Sequence, residues 1–258
     1  MKIGVMNSPR ENPASWVEWA GKNGFDFIDL TIEPPSVLPH QIDVKRLKAL
    51  LRRYDLEVVG HMGDWRLAKE SLYPCLREAS KKEILNAIRT HKKLGAKKIT
   101  IHAPNFPDID FSMMFPIYSK LVGELLREAK KQGVTLMFEN GGSNTKNHTR
   151  LIDALMRKYP SLGLHIDVGH ANICVRKNLL FRFLKKHRKR VIHLHFSDNK
   201  GKADDHRHLG YGTVNWKKVV ASLKKAGYDG TITLETFRSG KTGTLKSMKK
   251  LRKMWDSA

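Results

Sequence analysis

Apolar and polar positions along this chain fall into short alternating runs separated by longer stretches of helical spacing. KIGVM (residues 2–6) is a short apolar run. In the following NPASWVEWAGKNG, Asn12 is placed to cap a helix, Pro13 to start it and Gly24 to stop it. FDFIDLTIE (25–33) alternates and ends in the breaker PPSVLP, after which DVKRLKALLRRY has helical spacing. EVVGHM, KITIHAP, TLMFEN, LGLHIDVGH, VIHLHFSD and GTITLETF read as further strands, separated by helical stretches at about 71–94, 112–132, 146–159, 176–188, 216–227 and 242–255. Eight strand–helix units in 258 residues, with no linker or low-complexity segment between them, predict one domain over 1–258, a closed (β/α)8 TIM barrel.

The same alternation sorts the polar residues. In VIHLHFSD, Val191, His193, His195 and Ser197 share one face while Ile192, Leu194 and Phe196 share the other; in LGLHIDVGH, His165 and Asp167 oppose Leu164, Ile166 and Val168. His61, His102, Glu139, Asp167, His195 and Glu235 stand at the C-terminal ends of strands three to eight, with His170 in the sixth loop and Asp204 and His206 in the seventh. Barrel enzymes place their active sites at that end. Imidazoles and carboxylates converging there are costly unless paired or metal-bound, and nine of them point to a metal centre of two or three ions. Donors without thiolate suit zinc or manganese. His165 and His193 lie deeper in their strands and read as supporting or packing residues. His40, His91, His148 and His187 are expected on exposed surfaces. Asn140 is placed to orient a ligand beside Glu139, and Glu33 reads equally as a substrate or acid/base group and as a loop residue.

Composition adds charge. Lys and Arg number 48 against 25 Asp and Glu, a formal net charge of +23. Such a field attracts polyanions, nucleic acid or a phosphorylated substrate, although most basic runs fall on amphipathic helices whose exteriors are simply solvated. Arg66, Lys69, Lys200, Lys202, Arg207, Arg238 and Lys241 lie in loops on the site's side and are candidate phosphate contacts, and Trp65 is a candidate stacking residue. The two cysteines form no CxxC pair, so neither a disulfide framework nor a cysteine zinc knuckle is encoded. No apolar run spans a bilayer and the N-terminus lacks a signal-peptide core, so a cytoplasmic protein is expected, with a basic composition that would suit a thermophile. No P-loop, GxGxxG or GxSxG is present.

GHMGDW, IHAP, FEN, HIDVGH, HFSDNKG, DDHRHLGYG and TLE occur in that order, and with them the whole chain resembles the xylose-isomerase-like TIM-barrel superfamily. That group joins sugar-phosphate isomerases and epimerases with the endonuclease IV branch of apurinic/apyrimidinic endonucleases. The resemblance to endonuclease IV implies three zinc ions on His61, His102, Glu139, Asp167, His170, His195, Asp204, His206 and Glu235. The resemblance to the isomerase/epimerase branch implies one divalent ion on Glu139, Asp167, His195 and Glu235, with Glu139 and Glu235 exchanging a proton beside a carbonyl. The wording DVGHAN, LGYGTVNW and GYDGTITLE is closer to the second branch, and the tyrosine that follows the first His of the endonucleases is replaced by Asp64, next to Trp65. The complete ligand set and the charge lead to the expectation of a phosphodiesterase cleaving DNA at abasic sites, with Glu139 bridging metals and orienting the attacking hydroxide. The alternative is an isomerase or epimerase of a sugar or sugar phosphate.

Overall fold

In a computed structural model of the chain, described here for residues 1–35, 37–104, 110–142 and 146–258, eight parallel strands close into a barrel. The strands are β1 (Lys2–Met6), β2 (Phe27–Ile32), β3 (Glu57–Met62), β4 (Lys98–His102), β5 (Thr135–Glu139), β6 (Gly163–Asp167), β7 (Val191–Phe196) and β8 (Thr231–Leu234). The helices are α1 (Pro13–Lys22), α2 (Val44–Arg53), α3 (Pro74–Lys93), α4 (Phe111–Gln132), α5 (Lys146–Lys158), α6 (Leu180–His187), α7 (Trp216–Lys225) and α8 (Gly240–Asp256). Each strand pairs with the next, and β8 returns to β1 with Lys2 opposite Thr231 and Val5 opposite Leu234.

Local signals set the helix starts. The side chains of Asn12, Asp43, Asp110 and Asn215 accept backbone N–H groups in the first turns of α1, α2, α4 and α7. Helix α6 starts at Leu180, later than the expected 176, because Asn178 is spent on the turn: its amide donates to Val168 O and its Oδ1 accepts from Leu180 N.

Two apolar layers result. Outward-facing strand residues such as Ile28, Leu30, Ile99, Leu164 and Leu194 pack under the helices in the main core. Inside the barrel, Phe27, Val59 and Met137 form a small plug toward the N-terminal ends of the strands. Gly4 makes room for it, since a Cβ there would lie 2.3 Å from the Phe27 ring. Above the plug the interior turns polar, with Asp29, Thr31, His61, Thr100, His165, His193 and Thr233 all buried.

Candidate metal centre

The strand ends deliver the expected residues to one place. Glu139, Asp167 and His195 end or nearly end β5, β6 and β7, and Glu235 follows β8; all four are buried. Around His195 Nδ1, Glu235 Oε2 lies at 3.0 Å, Glu139 Oε1 at 3.8 Å and Asp167 Oδ2 at 3.8 Å. Glu139 Oε2 faces the other side of the barrel, 3.2 Å from His102 Nε2 and 3.4 Å from His61 Nε2. The loop residues close the ring: His170 Nε2 and His206 Nε2 lie 3.0 and 2.7 Å from Asp204 Oδ2. His206 holds a left-handed φ of 42°, unusual for a side chain with a Cβ.

The donor atoms suit a divalent cation. Those of Asp167, His195 and Glu235 lie within 4.8 Å of one another, as do those of His61, Glu139 and His195, of Glu139, Asp167 and His170, and of His170, Asp204 and His206. His61 Nε2, Glu139 Oε2 and Asp167 Oδ2 are buried and make no hydrogen bond among the described residues. Polar atoms so placed are costly unless something satisfies them, and nitrogen and oxygen donors at this spacing could hold a cation of the zinc or manganese kind.

Burial and neighbouring charge pull the groups apart. Burial pushes the Asp167 carboxyl up, and the nearby Glu235 and Glu139 add to the shift. Burial acts the same way on Glu139, but His165, His102 and His195 outweigh it and hold Glu139 well below the usual carboxylate range. Glu235, against the same burial, is held down by His206 and His195. His102 reaches about 9: burial opposes the charge, and the carboxylates of Glu139 and Asp64 more than restore it.

Beneath and beside the ring lie residues that the sequence pattern did not single out. Asp29, on β2, accepts hydrogen bonds from His193, His195 and Thr233. Asp64 receives His102 Nδ1 at 2.5 Å and the His102 backbone N–H. Thr31 Oγ1 lies 3.2 Å from His61 Nδ1. Asp198 organises the loop that carries Asp204 and His206, accepting from Asn199 N, Gly210 N, Val214 N and Trp216 Nε1. Asp29 and Thr31 follow from the same alternation, since FDFIDLTIE puts Phe27, Asp29 and Thr31 on one face.

The ring opens into a cavity of about 710 Å³. Trp65 and Arg238 line it, together with Glu33, which the sequence offered as a substrate or acid/base group, and with Met6, Arg10 and Phe237, which periodicity does not flag. The other basic candidates are placed elsewhere. Arg66 is paired with Glu33 at 2.7 Å and lies over the Trp65 ring. Lys200 and Arg207 lie over Tyr211, and Arg207 also donates to Arg238 O. Lys202 is exposed, and Lys241 sits over the rings of Trp16 and Trp19 beside a separate cavity of about 260 Å³. Lys69 is buried against Asp64. Three histidines expected at the surface are also placed otherwise: His91 and His148 are buried, and His187 pairs with Asp153 at 2.8 Å.

Comparison with known proteins bears on the chemistry. An uncharacterised protein of Methanocaldococcus jannaschii is 26% identical over 247 residues, 91% of this chain and 83% of the relative. The ketose 3-epimerase of Arthrobacter globiformis is 23% identical over 234 residues, 84% and 74% of the two chains. Among solved structures, a D-tagatose 3-epimerase-like protein superposes with a TM-score of 0.84 at 24% identity, covering 99% of this chain and 97% of that one. D-allulose 3-epimerase from Methylomonas sp. gives 0.80 at 20% identity, covering 98% of each. The expectation of an abasic-site DNA phosphodiesterase is therefore overturned: where an activity is named for these proteins it is sugar epimerisation, and nothing supports DNA as a partner. The physical reason is that neither signal behind it was specific. One set of His, Asp and Glu donors serves several reactions, and the net charge says nothing of where lysines and arginines point. No described helix is long and apolar enough to cross a membrane. A family model described as xylose isomerase-like TIM barrel matches residues 17–254, and the chain belongs to that family.

Proposed function

We propose that this chain is a divalent-cation-dependent epimerase or isomerase of a small sugar or sugar phosphate, with Glu139 and Glu235 exchanging a proton at the carbon next to a carbonyl. The observation that carries the reading is the convergence of Glu139, Asp167 and Glu235, from the ends of three strands, on His195 Nδ1, with Glu139 and Glu235 lining the cavity. A volume of about 710 Å³ suits a small ligand, for which cavities of about 300–1,000 Å³ are usual.

In this reading Glu139, Asp167, His195 and Glu235 hold the cation, zinc or manganese by their donor chemistry. When bound, it would polarise the carbonyl and neighbouring hydroxyl oxygens of the substrate. Glu139 and Glu235, kept ionised by the imidazoles around them, are able to accept a proton. One, ionised, removes the proton from the carbon as the C–H pair forms a C=C bond and the carbonyl π pair moves to oxygen. The other, having first taken a proton from solvent, gives it to the opposite face as the carbonyl re-forms, which inverts the centre and leaves the two carboxyls with exchanged protonation. His61, His102, His170, Asp204 and His206, on the cavity wall, contact the substrate hydroxyls, while Arg10 and Arg238 flank its far end. Met6 and Phe237 offer apolar surface to the carbon skeleton.

The test is proton exchange. The protein, supplied with manganese, cobalt, magnesium or zinc, is incubated in D2O with a panel of ketoses and ketose phosphates and followed by proton NMR. Loss of the signal beside the carbonyl, with growth of an epimer or aldose, is expected for at least one member. No exchange with any sugar under any of the four cations would sink the proposal.

A further inference from the structure

Asp29 stands one layer below the proposed cation, on a strand that contributes no ligand to it. Its carboxylate is wholly buried in the barrel interior, where an aspartate is costly without a purpose. Oδ2 accepts three hydrogen bonds: from His195 Nε2 at 2.8 Å, His193 Nε2 at 3.0 Å and Thr233 Oγ1 at 2.7 Å. The donors come from β7 and β8, far along the chain; Asp29 and His195 are 166 residues apart. His193 is itself fixed from below, its Nδ1 lying 2.6 Å from Thr231 Oγ1, which receives Lys98 Nζ. A chain of contacts thus runs from Lys98 through Thr231 and His193 to Asp29 and His195.

An imidazole carries two nitrogens, and the partner of one decides what the other can do. A carboxylate only accepts, so the contact at 2.8 Å requires the His195 proton on Nε2. By the same rule the 3.0 Å contact of Nδ1 with Glu235 Oε2 calls for a proton there too, and a cation at the point where Glu235, Glu139 and Asp167 meet would take the place of that proton while Asp29 keeps the one on Nε2. With Asp29 absent, Nε2 would lose the acceptor that fixes its proton.

We propose that Asp29 is a positioning residue of the metal centre, which holds His195 as the Nε2–H tautomer and so aims the Nδ1 lone pair at the cation. The inference rests on the cation site of the proposed function and assigns Asp29 no contact with cation or substrate. A competing role is a deeper cation on His165, His193 and His195, whose donor atoms also lie within 4.8 Å of one another. The observed contacts oppose it, because the Nε2 atoms of His193 and His195 both hydrogen-bond to one Asp29 oxygen.

Two measurements decide. In protein loaded with zinc(II) and labelled with 15N-histidine, a long-range 1H–15N spectrum, with His195 assigned through His195→Asn, is expected to show His195 protonated on Nε2. Protonation on Nδ1 overturns the proposal without any change at Asp29. In the second, manganese(II) binding to Asp29→Ala, which removes the acceptor, is followed by calorimetry, and affinity is expected to fall roughly 10–100-fold while the far-ultraviolet circular dichroism is retained. Affinity equal to that of the unaltered protein refutes the inference and leaves the proposed function standing. An unaltered protein that binds no divalent cation refutes both. A second ion lost together with the first on His165→Asn and His193→Asn substitution would mean that the deeper cation replaces the Asp29 contact. If Asp29→Ala does not fold, the tautomer spectrum alone decides.

Discussion

Lys69 Nζ lies 2.8 Å from the Asp64 carboxylate, with both side chains almost entirely out of solvent. The same ammonium donates to Asp64 O, while the other Asp64 oxygen receives His102. Burial would raise the Asp64 carboxyl, yet Lys69 and His102 hold it at about 2. Lysine here neutralises a carboxylate inside the fold, where the sequence suggested a phosphate contact. Lys69→Met leaves that carboxylate with His102 still beside it, so the loss should fall below the roughly 3–5 kcal/mol typical of breaking a buried pair outright and still exceed about 1 kcal/mol. Urea unfolding at pH 7 is the check; a midpoint equal to that of the parent protein would show the pair to be dispensable.

Glu139→Gln and Glu235→Gln keep shape and hydrogen-bonding capacity while removing proton exchange. Each is expected to lower kcat on the best ketose about 10²- to 10⁴-fold, the usual worth of general acid–base catalysis. Deuterium uptake beside the carbonyl should fall in parallel with turnover. If either variant kept full turnover, that glutamate would have no part in moving the proton.

Asp167 is the group that burial disfavours most plainly in its charged form. Its Oδ1 accepts from His170 N, a bond that an asparagine oxygen can retain. Without added metal at neutral pH, Asp167→Asn should therefore melt higher than the parent, and it should lose the rise in Tm that manganese gives the parent. Thermal unfolding of both proteins with and without manganese tests this. A metal-induced rise of equal size in the variant would remove Asp167 from the ligand set.

His91 gives a pH signature away from the metal centre. It packs from α3 against Gly60, where a Cβ would lie 2.9 Å from its ring, and Nε2 donates to Leu30 O at 2.9 Å. Burial lowers it from 6.5 to about 4, more than the hydrogen bonds to Leu30 and Ala87 restore. As pH falls from 6.5 toward 4 the unfolded chain takes up this proton and the folded chain does not, so stability falls with pH across that window. The loss between pH 7 and 4.5 should be on the order of 2–3 kcal/mol greater for the parent than for His91→Gln, measured by urea unfolding at both values. Equal losses would mean that His91 titrates normally.

Short apolar or alternating runs located the strands, and the cap at Asn12 located the start of α1, because both signals act within a few residues. The inward placement of His61, His102, Glu139, Asp167, His195 and Glu235 was legible for the same reason, since they end or follow strands whose parity points them inward, while His170, Asp204 and His206 come from loops. Asp29 was hidden in FIDLTI, a run that reads as uniformly buried once its parity is ignored. Arg10 and Phe237 come from loops, where no period applies. Arg207 bonds a backbone carbonyl and Lys241 covers two tryptophans, which a count of positive charges has no way to express. The reaction was the least legible part, because donor identity fixes which cation is welcome and leaves open what is done with it.

Closure of the barrel by β8 against β1 has a further consequence for how this molecule comes into being. Glu235 follows the last strand to be made, and that strand finds its place only by pairing with the first. Long-range pairings of this kind close large loops and form late in folding. During synthesis the His and Asp donors of β3 to β7 emerge before the carboxylate that completes their set. On the proposed ligand set, tight cation binding would report that the ring of strands has shut, and a nascent chain stopped short of β8 would hold most of the donors and little of the affinity.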